Sequence, residues 1–132
     1  MITTDIFFEQ DHTLENERAR LEPLTEKHFD LLLPIAMHTE LWEFTGAKVR
    51  SKADFKRYFE TALAEKKAGS SYPFAIYDKQ QNQYAGCTRY GNISFPNKRA
   101  EIGWTWYHPA LQRTGINKAC KFLLLSFGFE TL

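Results

Sequence analysis

An α+β fold, a mostly antiparallel sheet with flanking helices, is predicted by three features of this sequence. Two stretches before residue 70 carry apolar residues at helical spacing. The period then changes to that of strands over residues 74–107, with tight turns between them. A last helical stripe follows. The element order is therefore strand, helix, helix, three antiparallel strands, helix. The chain has 132 residues, which fits a single domain over 1–132.

The first strand is read over residues 6–24, where apolar and charged residues roughly alternate from Leu14 onward, with residues 6–8 as a short extra edge strand. Thr25 stands where a helix needs a cap, and Phe29, Leu32, Leu33, Ala36 and Met37 follow at helical spacing. Pro34 lies inside that stripe and lacks a backbone donor, so the helix should kink or end near Leu33. Residues 39–45 then form a short helical turn or an irregular loop.

Ser51 and Asp54 resemble a capping box with Asp in place of Glu. Behind them Phe55, Tyr58, Phe59, Ala62 and Leu63 make the clearest stripe of the first half, with Lys66 and Lys67 at the negative end and Gly69 as the stop. Residues 74–77, 84–93 and 99–107 read as strands of a meander, separated by turns at 78–82 and at Pro96-Asn97. Gly86 and Gly91 are candidate bulge sites. In the last helix Ile116, Ala119, Cys120, Leu123, Leu124 and Phe127 share a stripe, while Phe122, Leu125 and Phe129 fall on other faces, as in a buried helix.

Composition narrows the function classes. The hydrophobic fraction is 43% and the aromatic fraction 15%, enough for a packed core. With 17 basic and 16 acidic residues the formal net charge is +1, which argues against general attraction to nucleic acid or to an anionic membrane. The two cysteines, Cys87 and Cys120, fall in apolar patterns and read as buried free thiols. The start of the chain lacks a basic, apolar leader, and no run is long enough to span a bilayer. A soluble cytoplasmic protein is expected. The four histidines show no metal-ligand spacing, so no metal is expected.

The chemistry concentrates between Pro109 and the last helix. A loop with Gly115 opening a helix gathers unpaired amides at the positive end of a dipole, which suits phosphate, and Arg113 and Lys118 flank it. The loop has no Walker-type or Gly-x-Gly-x-x-Gly pattern. Spacing alone leaves an ordinary strand-to-helix turn equally open.

The run Tyr107-His108-Pro109-Ala110-Leu111-Gln112-Arg113-Thr114-Gly115-Ile116-Asn117-Lys118-Ala119 resembles the acetyl-CoA motif of the GNAT superfamily of N-acetyltransferases. That motif reads Pro, a few residues, Gln/Arg, any residue, Gly, any residue, Gly or Ala. The upstream Ala100-Glu101-Ile102-Gly103-Trp104-Thr105-Trp106 resembles the family's fourth strand. The likeness is greatest to the branch that acetylates ribosomal-protein N-termini, and it runs from about Leu14 to the end. Asn117 departs from the family's small residue. The resemblance implies acetyl-CoA as cosubstrate and a primary amine, a protein N-terminus or a small molecule, as acceptor. It implies that backbone groups of Thr105, Trp106 and Tyr107 bind the pantetheine arm. The amides of Arg113, Thr114, Gly115, Ile116, Asn117 and Lys118 would hold the pyrophosphate.

Glu101 aligns with a carboxylate that some members use as general base, against the alternative of a solvated or salt-bridged strand residue. Trp42, Phe44, Tyr72, Trp104 and Trp106 could line an acceptor cleft, or be core. The family normally continues with further C-terminal strands, so the resemblance implies a C-terminally truncated domain. Its strand 99–107 would then have an unpaired edge, left by a fragment or covered by a homodimer partner. A CoA-binding fragment without turnover and an unrelated interaction domain are the competing functions.

Overall fold

The structure, a computed structural model, describes residues 4–43 and 48–131. Five antiparallel strands form one sheet in the order β1-β2-β3-β4-β5: β1 Leu14–Glu15, β2 Ala19–Pro23, β3 Ser71–Asp78, β4 Gln83–Ser94 and β5 Arg99–Tyr107. The α-helices are α1 Thr4–Glu9, α2 His28–Ala36, α3 Lys52–Ala68 and α4 Ile116–Thr131. Single 3-10 turns occur at Thr39–Trp42 and Pro109–Leu111. The predicted α+β class, the antiparallel meander and the two long helices are present.

Alternation along β3 splits the core into two layers. Tyr72, Phe74 and Ile76 point to one side, where Leu111, Ile116, Cys120 and Leu124 close over them. Ala75 points to the other, where Leu32, Phe55, Phe59 and Trp106 pack. Both thiols are free and buried, Cys87 in the second layer and Cys120 in the first.

Residues 6–8 are not an edge strand but part of α1. Three apolar residues carry no period of their own. The helix delivers Phe7, fully buried, against Tyr72, Phe95 and Phe127 with ring centroids at 5.2, 5.5 and 6.3 Å. The stretch 14–24 is two strands rather than one. Asn16 turns the chain between them, its Oδ1 accepting the amides of Arg18 and Ala19 at 3.0 and 2.8 Å. Thr25 does not cap α2. That helix begins at His28 after Lys27, with no side-chain cap bond, and the Thr25 amide donates to His28 Nδ1 at 3.0 Å instead.

Pro34 does not end α2 at Leu33 either. The helix runs to Ala36, and Met37 N–H still reaches the Leu33 carbonyl at 3.1 Å. So close to the end, the missing proline donor interrupts little. The expected turn over 39–45 is present at Thr39–Trp42, and residues 44 and 45 lie outside the described residues. Ser51 Oγ accepts the Asp54 amide at 3.1 Å as expected, but the Asp54 carboxylate returns to the Arg50 amide, at 3.0 Å. Gly69 ends α3 at φ +79°, with Ser70 N–H on the Glu65 carbonyl at 2.9 Å.

Between β2 and α2 lies a partly buried polar cluster around the buried ring of His28. Since His28 Nδ1 accepts from Thr25, its proton sits on Nε2, which donates to Glu22 at 2.9 Å. Glu22 also accepts from Arg20 at 2.8 Å and from the Tyr84 hydroxyl at 2.8 Å. Burial pushes the Glu22 carboxyl up, but these three donors outweigh it and hold it down, from the ordinary 4.5 to about 2. A folded-state value below the unfolded one adds stability above pH 4.5 that is lost as pH falls toward 2. Solvent screening of this half-buried group limits the loss to about 1–2 kcal/mol. Urea titrations from pH 6 to 2 should therefore show a flatter acid limb for Glu22→Gln than for the wild type.

Candidate functional site

Strand β5 is irregular where it faces β4. Cys87 pairs with Trp106 and Arg89 with Gly103, so Thr88 alone opposes both Trp104 and Thr105. This bulge puts Trp104 at φ +52°, an unusual conformation for a bulky side chain. Thr88 and Thr105 hydroxyls meet at 2.8 Å across it. The bulge aims β5 into a cleft of about 880 Å³ between β5 and α3.

Trp42, Tyr58, Glu65, Glu101, Thr105 and Trp106 line this cleft. Arg89 lies in its wall, only 5% exposed. Its guanidinium is 5.6 Å from the Tyr58 ring and 5.4 Å from the Trp104 ring, and 3.3 Å from Glu65 Oε2. Burial raises the Tyr58 hydroxyl above its usual range. Glu101 is exposed on the cleft wall. Of the aromatics considered for an acceptor cleft, Trp42, Trp104 and Trp106 line it. Tyr72 does not: it is buried in the opposite layer, its hydroxyl donating to the Gln10 carbonyl at 2.6 Å. Phe44 lies outside the described residues.

From Tyr107 the chain passes through the 3-10 turn into α4. Leu111 is buried and anchors the loop, while Gln112, Arg113, Thr114, Gly115, Asn117 and Lys118 are exposed. Arg113 at φ +65° and Gly115 at φ +92° bend the backbone sharply. The first bond of α4 runs from Ala119 N–H to the Gly115 carbonyl at 3.1 Å, so the amides of Ile116, Asn117 and Lys118 precede the helical ladder. Such a turn, with a helix dipole behind it, can receive an anion. Asn117 has a local role: its Oδ1 accepts from the buried Tyr107 hydroxyl at 2.9 Å, tying α4 to β5. Burial, then Cys120, raise the Tyr107 hydroxyl far above its usual range, so it stays a donor.

Two residues holding this loop were missed by sequence reasoning. Arg18 Nη1 donates to the Thr114 carbonyl at 2.8 Å and Nη2 to the Thr114 hydroxyl at 3.0 Å. The same guanidinium is bound to fully buried Asp78 at 3.1 and 3.2 Å. The partners are 60 and 96 residues apart, and no local pattern joins them. Among the described residues no group of three or more His, Cys, Asp or Glu could hold a metal. No helix among them is long and apolar enough to cross a membrane.

The family model described as "Acetyltransferase (GNAT) domain" matches residues 18–132. None of the curated proteins matches this chain. A solved GCN5-related N-acetyltransferase from Brucella melitensis superposes with a TM-score of 0.81 at 24% identity, over 93% of this chain and 57% of that one. RimL, a ribosomal L7/L12 alpha-N-protein acetyltransferase in complex with coenzyme A, gives 0.71 at 20%, over 88% and 67%. An acetyltransferase from Salmonella typhimurium that modifies the N-terminal serine of ribosomal protein L7/L12 gives 0.74 at 19%, over 91% and 70%. At these identities the likeness is one of fold. The chain spans little more than half the length of the Brucella protein.

Proposed function

The chain belongs to the GNAT acetyltransferase family, and from that premise we propose that it transfers the acetyl group of acetyl-CoA to a primary amine by direct attack. The acceptor is a protein N-terminus or a small amine. The observation that carries this reading is the continuity of bulged β5, its bent loop and the start of α4, with the cleft opening beside the bulge. The loop fits a diphosphate: Gly115 turns with a positive φ, and a Cβ there would meet only the Arg18 guanidinium, at 3.5 Å.

Backbone groups of Thr105, Trp106 and Tyr107 bind the pantetheine arm, since β5 is the last strand of the described sheet and its outer edge faces no other strand there; the Tyr107 carbonyl also accepts from Gln112 Nε2 at 3.3 Å. The amides of Arg113 to Lys118 hold the pyrophosphate, and the Arg113 and Lys118 side chains add positive charge. The thioester supplies the acetyl group: a C–N bond forms, the C–S bond breaks, and the leaving thiolate takes up the proton that the attacking nitrogen loses on becoming an amide. Glu101, on the cleft wall, accepts the ammonium proton through a water, because only the neutral amine attacks.

Calorimetry with coenzyme A and a thiol-release assay with acetyl-CoA and amines test the reading. Binding together with release is expected. Binding without release from any amine would mark a CoA-binding domain instead. Glu101→Gln should lower kcat/KM roughly 100-fold across the pH range. An unchanged profile removes Glu101 from the mechanism. Buried Cys87 and Cys120 are consistent with a reducing, cytoplasmic setting. The β5 edge, with Phe122 and Phe129 exposed on α4, is consistent with a homodimer. A light-scattering mass of one chain at micromolar concentration rules that dimer out.

A further inference from the structure

We propose that Arg18, held by Asp78, is a positioning residue for the coenzyme loop: it fixes the bent backbone of residues 112–115 in the shape that receives the diphosphate. This rests on the coenzyme-binding reading above.

The loop needs such a device. Its residues from Gln112 to Gly115 are exposed, and Arg113 at φ +65° is a non-glycine residue in a sparsely populated conformation. A bend of that kind persists only when its surroundings over-determine it. Within the loop the Thr114 hydroxyl donates to the Leu111 carbonyl at 2.6 Å. From outside, Arg18 grips both oxygens of Thr114, at 2.8 Å from the carbonyl and 3.0 Å from the hydroxyl. The planar guanidinium can do this while its other edge is engaged by both Asp78 oxygens.

The anchor is rigid. Asp78 is fully buried at the end of β3, and its Oδ1 also accepts the amides of Gln80 and Gln81 at 3.0 and 3.2 Å. Lys79 N–H bonds the Arg18 carbonyl at 2.9 Å, and Lys79 Nζ the Asn16 carbonyl at 3.1 Å. A second point of attachment lies one turn into α4, where Asn16 Nδ2 donates to the Ala119 carbonyl at 3.3 Å. The β1–β2 hairpin is thus bonded to both sides of the first α4 turn. An ordered loop presents its amides without a further entropy loss on binding, so releasing it weakens the complex while leaving the cleft's chemistry unchanged.

The test compares Arg18→Met, Arg18→Lys and Leu32→Ala, a control that destabilises the opposite layer. Coenzyme A affinity is read by calorimetry, and KM and kcat by thiol release. Arg18→Met should weaken coenzyme A roughly tenfold and raise the KM for acetyl-CoA in step, with kcat and the amine KM unchanged. Arg18→Lys keeps the charge but not the fork, and should recover part of the affinity. Leu32→Ala should melt earlier and bind as the wild type does. Wild-type affinity in Arg18→Met, or an equal loss in Leu32→Ala, overturns the inference while leaving the acetyltransferase reading standing. A wild-type chain that binds no coenzyme A fails that reading, and this inference with it.

Discussion

Gly86→Ala is expected to lose ~3 kcal/mol of stability or more, the largest effect of a methyl added at any of the described glycines. A Cβ at Gly86 would overlap the carbonyl oxygen of Trp106 and stand 2.8 Å from its carbon and 3.0 Å from Tyr107 Cα. All three are backbone atoms of β5, so no side-chain rotation relieves the overlap. The whole strand must move off β4, taking with it the bulge at Trp104 and Thr105. Urea titration should show a lower midpoint at an unchanged slope, and coenzyme A affinity should fall. Gly91→Ala makes the contrast. The three atoms nearest its Cβ all belong to the Trp104 ring, a side chain 45% exposed that can yield where backbone cannot, so a loss of ~1 kcal/mol is expected. Equal losses at the two sites would refute the backbone explanation.

Asp78→Ala should come next, at ~3 kcal/mol. The carboxylate is fully buried, and removing it leaves the Arg18 guanidinium, whose side chain is only 17% exposed, without its counter-charge. The Gln80 and Gln81 amides also lose their acceptor. Asp78→Asn keeps an oxygen for those amides and should lose about half as much. A thermal or urea midpoint within error of the wild type for Asp78→Ala would show that the pair contributes nothing net, as some buried ion pairs do.

Where the sequence was readable, the reason was periodicity sustained over a long run. α3 carries five apolar residues in register, a serine cap and a terminal glycine, and each of these forms as expected. β5 was predicted to the residue, because an aromatic-rich run stands between a Pro-Asn turn and a proline. The reading failed where a few residues had to decide alone. Residues 6–8 are too few to show a period, and the packing of Phe7 between Tyr72 and Phe127 is visible only in the folded chain. Thr25 has the chemistry of a cap, yet the buried ring of His28 takes its amide and moves the helix start three residues on.

The site divides along the same line. Its order along the chain, a strand, a turn through Pro109 and a loop with Gly115 before α4, is local and could be read from the sequence alone. So could the presence of Glu101 on that strand. The bulge that bends β5, the buried Arg89 between Tyr58 and Trp104, and the grip of Arg18 on Thr114 were decided only by the tertiary structure. The physical reason is distance along the chain. Turns, caps and stripes are set by neighbours within a few residues, whereas Thr88 and Thr105 at the bulge are 17 residues apart and Arg18 and Thr114 are 96, and they meet only when the sheet is assembled.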